Sequence, residues 1–304
     1  VEIVFALLVI GAFAYSLRLT RSYFFFLDDW LLIKQGGSLG RWFQPYSDQM
    51  GLVIIGTWRV LAELFGFAFT PFRVVGMVGL YAVPAAYFLT TRRQLGAVLA
   101  ALLALPLVWY GRYISLIPAQ LDHFLVLLGA IGCAAALNRG RRADWVLASS
   151  LAFALCSGGG GSAVIAACLV HNLCTRAPLR RWLAVFAPAL VWLVWWLIEV
   201  GRASDLRGYA MTWTEILQFV RDLAYTPFDS AALGVGVVAV VLVAAFVAYG
   251  IWTLSKGLNA GANFLAWSAA FFAWGAGIAI NRGHLFASVT TFRYRYIALG
   301  LLLL

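Results

Sequence analysis

MGLVIIGTWRVLAELFGFA, residues 50–68, is apolar enough to cross a bilayer, yet it carries Arg59 and Glu63 at the i, i+4 spacing of a helical ion pair. Whether it spans or lies along the membrane surface decides the side on which everything before it sits. If it lies on the surface, four short turns share one side: Arg92 with Arg93, then Arg139, Arg141 and Arg142, then Arg176, Arg180 and Arg181, then Lys256. Asp144 is the one acid among them. The positive-inside rule makes that side cytoplasmic, and the long loops near 18–71, 200–230 and 281–295 then face outward. If 50–68 spans instead, the basic turns stay cytoplasmic and the acidic stretch near residue 28 joins them. The first arrangement is preferred, because the second leaves no polar connection longer than three residues before the next apolar segment at 72–90.

The rest of the chain agrees with a membrane setting. Hydrophobic residues make up 63% of the 304, charged residues 11%, and the mean hydropathy is +0.90, which excludes an ordinary soluble domain. The apolar runs are long and continuous and lack the period-two alternation of barrel strands, so the predicted fold class is all-α. Breaks at charges, Gly and Pro predict about ten spans, near 1–17, 72–90, 95–108, 120–137, 145–157, 161–174, 182–199, 231–254, 263–280 and 296–304. Both ends fall inside apolar runs, VEIVFALLVI and IALGLLLL. Residues 1–304 are therefore expected to be a single transmembrane domain cut at each end from a longer chain. The first segment shows no small-residue cleavage pattern and is expected to remain as a span. A net charge of +10 is assigned to cytoplasmic turns facing anionic headgroups, with no nucleic acid as partner. Cys133, Cys156, Cys168 and Cys174 form no CxxC pair and are read as small buried hydrophobes.

Chemistry-capable groups gather on the outward face. Asp28 and Asp29 lie in FFFLDDWLLI directly after the first span, where unneutralised acids near hydrocarbon cost several kcal/mol without water or a partner. Helix capping in a solvated loop and direct chemistry are both open to them. Two outer segments read as interfacial helices. One covers 30–35 and ends at Gly36 and Gly37. The other is TWTEILQFVRDLAY, with Thr212 and Glu215 at capping-box spacing and an apolar stripe of Trp213, Ile216, Leu217, Val220 and Leu223. Asp122 beside His123 reads as a first-turn acid or a polar contact, and His171 as structural. SGGGG, residues 157–161, reads as a tight helix reversal rather than a phosphate loop, since it lacks a preceding strand and a Lys-Ser/Thr ending.

One span, a long outer loop with an acidic motif and interfacial helices, then many short-looped spans: this layout resembles the GT-C superfamily of membrane glycosyltransferases. The residues that carry the resemblance are the Asp28-Asp29 pair, the helix-like 50–68, and the RYRY run before the last apolar segment. It covers most of the chain, although the adjacent DD departs from the spaced DxD or ExD of some members. The resemblance implies transfer of a sugar from a polyprenyl-phosphate donor to a cell-envelope lipid or glycan, at the outer face of a plasma membrane. Asp28 or Asp29 would be the general base, and a divalent metal could sit between them; no other cofactor or metal site is implied. Arg293 and Arg295, then Arg112, would hold the donor phosphate, against a bland reading of Arg293 and Arg295 as headgroup anchors with Tyr294 and Tyr296. Asp122, His123, His284 and Arg221 would contact acceptor or donor. A non-catalytic polyprenyl-phosphate transporter, flippase or lipid-binding scaffold is the alternative. The Ala, Val, Leu, Arg and Trp bias fits a bacterial source.

The topology is testable without substrate. A single cysteine at Ser38, in a background lacking the four native cysteines, is expected to react with a membrane-impermeant maleimide in intact cells. Labelling only after the cells are opened would place the aspartates in the cytoplasm.

Overall fold

The computed structural model describes residues 1–22, 32, 42–46, 49–114, 121–139, 143–199, 214, 236–257, 259–282, 300–301 and 303–304. Among these the fold is all-α. Ten helices follow in order: α1 (Glu2–Leu19), α2 (Leu52–Phe65), α3 (Phe69–Leu95), α4 (Ala97–Ile114), α5 (Leu121–Leu137), α6 (Asp144–Ser157), α7 (Gly161–Cys174), α8 (Leu179–Glu199), α9 (Gly236–Ser255) and α10 (Asn259–Arg282). Between α1 and α2, two-residue strands β1 (Pro45–Tyr46) and β2 (Gln49–Met50) pair antiparallel, Pro45 opposite Met50.

The boundaries follow local chemistry. α3 begins three residues before the expected 72 because Pro71 fits the first helical turn, where its missing N–H is not needed. It ends at Gly96, whose φ of +80° suits glycine and strains other residues. That one residue reverses the chain into α4, which runs on to Ile114, past the expected 108.

Length and exposure divide the helices into two kinds. α1, α3 and α8, at 18, 27 and 21 residues, are long and apolar enough to cross a membrane. α1 leaves Ile3, Val4, Leu7 and Ile10 exposed, and α8 leaves Leu183, Phe186, Leu190 and Val191 exposed; continuous apolar faces of this kind demand a non-aqueous neighbour. α6 and α7 have only 14 residues each, a rise of about 21 Å against roughly 30 Å of hydrocarbon. α5, at 17 residues, is buried along its whole length, from Leu121 to Leu137. The short α6 and α7 each bury one side against neighbouring helices while Trp145 and Leu173 stay exposed, and α1 and α8 share the apolar exterior with α3, α4 and α9.

α1 and α3 are antiparallel. Glu2 pairs with Arg92 at 2.7 Å, the Phe5 and Phe88 rings stack at 4.5 Å, and Ser16 Oγ and Tyr81 Oη share a hydrogen bond of 2.6 Å. The chain therefore leaves α1 and enters α3 at the same end. α2, 14 residues long, packs Ile54, Ile55, Trp58 and Leu61 inward and keeps the expected Arg59–Glu63 pair, 2.6 Å, on its outer side. The Trp58 indole meets Phe72 of α3 edge-on at 5.5 Å, a pair worth about 0.5–1.5 kcal/mol beyond its area. At the far end of the chain, Leu301 is fully buried and Tyr87 Oη donates to the Leu303 carbonyl at 2.9 Å.

Two arginines of the third basic turn meet Asp144. Its carboxylate lies 3.2 Å from both Arg181 Nε and Arg180 Nε, and Arg181 Nη1 donates to the Leu137 carbonyl at 3.4 Å. Asn172 Nδ2 donates to the Arg181 carbonyl at 3.5 Å. One buried ion pair so ties α5, α6, α7 and α8 together, and Asn263 Nδ2 on α10 joins the end of α5 by donating to Asn138 Oδ1 at 2.7 Å. Asp144→Asn strands the buried Arg181 and is expected to cost about 3–5 kcal/mol, read as a lower thermal unfolding midpoint in detergent. Arg180→Gln, on the exposed partner, is expected to change it little.

Candidate functional site

The end opposite the arginine turns holds the polar groups of interest. α5 starts there with Asp122 and His123, both buried. The His123 backbone N–H donates to Asp122 Oδ1 at 2.8 Å, and the ring Nδ1 meets the same oxygen. A carboxylate on Nδ1 fixes the orientation of the imidazole. The imidazole stands edge-on to Trp274 of α10, centroids 6.5 Å apart and planes at 89°. Asp122 is therefore more than a solvated first-turn acid.

The glycine turn between α6 and α7 closes on this pair. A Cβ on Gly158 would lie 3.5 Å from Asp122 Cβ, and one on Gly160 would lie 2.8 Å from the Trp274 ring. A Cβ on Gly161 would lie 2.6 Å from the Ala154 carbonyl oxygen. The amides of Gly161, Ser162 and Ala163 donate to the carbonyls of Gly158, Gly159 and Gly160 at 3.0, 3.3 and 3.1 Å. Those donors serve the turn, as a tight reversal requires, and the glycines let α5, α10 and the turn meet at van der Waals distance.

The segment before α2 is tied to the same bundle. Trp195 Nε1, near the end of α8, donates to the Phe43 carbonyl at 2.6 Å, and the Trp42 ring covers Gly56 of α2, 3.2 Å from where its Cβ would stand. No sequence cue marks this attachment: a backbone carbonyl and an indole 152 positions apart leave no pattern in a linear reading.

Of the expected site residues, the structure brings Asp122 and His123 together. Arg112 sits on the last turns of α4, with its side chain outside the described residues. Asp28, Asp29, Arg221, His284, Arg293 and Arg295 lie outside the described residues, as do the expected interfacial helix over 30–35 and all of TWTEILQFVRDLAY except Thr214. Among the described residues no three His, Cys, Asp or Glu side chains gather as a metal site; the divalent-metal expectation concerns Asp28 and Asp29. All four cysteines are free.

Two groups escaped sequence reading. The Trp58 indole N–H is fully buried without a hydrogen-bond acceptor, and Arg73 Nε, in the first turns of α3, is buried and unpartnered too. Two donors lacking acceptors at this end suit an oxygen-rich anionic ligand. The cue for Arg73 was a lone charge in TPFRVVGM; for Trp58 none exists, since an indole in an apolar stripe reads as core. In comparisons with family models, curated proteins and solved structures, no match to this chain was found.

Gly160→Ala is expected to push Trp274 off the Asp122–His123 pair and to cost about 1–3 kcal/mol, seen as a lower unfolding midpoint with altered tryptophan fluorescence. Gly277→Ala, on the same helix as Trp274 but with nothing within 4 Å of its Cβ position, serves as the neutral control.

Proposed function

We propose that the chain is the membrane domain of a GT-C-type glycosyltransferase, multi-pass in a bacterial plasma membrane. It would take a sugar from a polyprenyl-phosphate donor at the extracytoplasmic surface and pass it to a lipid or glycan of the envelope. The observation that carries the reading is the antiparallel pairing of α1 with α3 through Glu2–Arg92 and Ser16–Tyr81. It returns the long first loop to the end where it began, opposite the arginine turns, as an outer loop bearing Asp28 and Asp29 requires. The buried Asp122–His123 pair and the donors Trp58 and Arg73 belong to that same end.

The chemistry asks for two things. The acceptor hydroxyl loses its proton as it attacks the anomeric carbon, so a carboxylate must stand on the acceptor side, the role given to Asp28 or Asp29. The departing lipid phosphate gains negative charge, which guanidinium groups stabilise through paired N–H bonds. Arg293, Arg295 and Arg112 are the candidates from sequence, and Arg73 joins them because its Nε has no other partner.

The decisive assay follows labelled sugar from a polyprenyl-phosphate donor into membrane lipid or glycan. Asp28→Asn or Asp29→Asn is expected to lower transfer by about 10²–10⁴ while donor binding persists. Full transfer by both single variants and by the double variant would remove the aspartates from catalysis. Donor binding with no transfer by the unaltered protein would leave a transporter, flippase or lipid-binding scaffold.

A further inference from the structure

The turn joining α7 to α8, at the arginine end, is built against local preference. Thr175 and Arg176 close α7 through amides donating to His171 and Leu173 at 3.0 and 3.2 Å, and the Ala177 amide returns to Asn172 at 2.9 Å. In this kind of helix ending the residue with positive φ is usually glycine. Here it is Arg176, at φ 48°, the one non-glycine with positive φ among the described residues. A side chain in that conformation costs of order 1–2 kcal/mol, and no contact among the described residues offsets it: Arg176 is exposed and makes no side-chain hydrogen bond or ion pair with them.

Charge at the turn is also out of balance. Arg180 and Arg181 share a single carboxylate, Asp144, already held by the buried Arg181, and Arg176 adds a third positive charge on the same turn. Arg180 is 71% exposed and touches Asp144 through Nε alone, a weak hold for a solvated pair. Arg181 Nη2, on a side chain more than nine-tenths buried, has no hydrogen-bond partner. From this basic turn an exposed apolar stripe runs up α8: Leu179, Leu183, Phe186 and Leu190, one above another at the 4, 3, 4 spacing of a helix face.

We propose that the α7–α8 turn and the Leu179–Leu190 face of α8 form a binding site for an anionic phospholipid. The headgroup phosphate is held by Arg176 and Arg180 over the field of Arg181, and the acyl chains lie along the stripe. Basic pockets between helices on the cytoplasmic side take anionic headgroups in this way, and charge complementarity selects this occupant over a zwitterionic lipid. The site rests on the membrane reading of the chain and is independent of the transferase proposal.

The test measures thermal unfolding of the purified full chain in detergent, with phosphatidylglycerol, phosphatidylcholine, or inorganic phosphate added. Phosphatidylglycerol is expected to raise the midpoint of the unaltered protein and the other two to leave it unchanged. Arg176→Gly relieves the backbone strain, so without lipid it is expected to be at least as stable as the parent, yet to need about fivefold more phosphatidylglycerol for the same shift. Arg180→Gln is expected to behave alike. Equal stabilisation by phosphatidylcholine, or an unaltered phosphatidylglycerol response in both variants, would overturn the site. Equal stabilisation by inorganic phosphate would overturn the lipid assignment in favour of a free anion.

Discussion

Hydrocarbon cannot satisfy a backbone N–H or C=O, and a helix that ends short of the interface leaves such groups there. α6 and α7, at 14 residues, are tolerable in a membrane only because neighbouring helices cover much of them. From that constraint follow the burial of α5 along its length and the glycines that bring α6 against it. Gly129 makes the point locally, since a Cβ there would lie 2.7 Å from Ala154 Cβ. Close approach gives the short helices dispersion contacts in place of the lipid they do not reach.

The two ends of the bundle use polar groups differently. At the arginine end, the buried Asp144–Arg181 pair joins four helices and leaves Arg176 and Arg180 to face outward. Burying the pair alone would gain little stability, but removing one partner would be costly, so it acts chiefly to set which helices meet. At the opposite end the polar groups are Asp122, His123, Trp58 and Arg73, and two of their donors have no protein acceptor. Unmet polar atoms remain at both ends: Arg181 Nη2 at the first, and the Trp58 and Arg73 donors at the second.

Much of this was legible in the sequence, because the signals are local. Apolar run length marked the helices, the SGGGG turn marked a reversal, and the i, i+4 spacing of Arg59 and Glu63 marked a pair now seen at 2.6 Å. The basic turns were legible as a set, since composition alone separates them from the outer loops. What stayed hidden depends on distant neighbours. Asp144 read as a lone acid in a basic turn, and its burial against Arg181 appears only when α6 and α8 are side by side. The β1–β2 pair, two residues a strand, is too short to show alternation. Trp58 looked like any core aromatic, because its orphaned N–H is a property of the surroundings and not of the residue.

The orphaned donors bear on mechanism through their cost. An unmet N–H in a dry interior forfeits about 1–3 kcal/mol, and a guanidinium nitrogen more. Trp58 and Arg73 have forgone stability that an acceptor side chain beside either would restore. Sites that bind charge in a transition state carry this signature, because a donor already satisfied by the protein must break that bond before it can help the ligand. Trp58 on α2 and Arg73 on α3 are held by helices that touch through Trp58 and Phe72, so they are fixed before any ligand arrives. Preorganised donors with no internal acceptor are what the proposed departing phosphate would require.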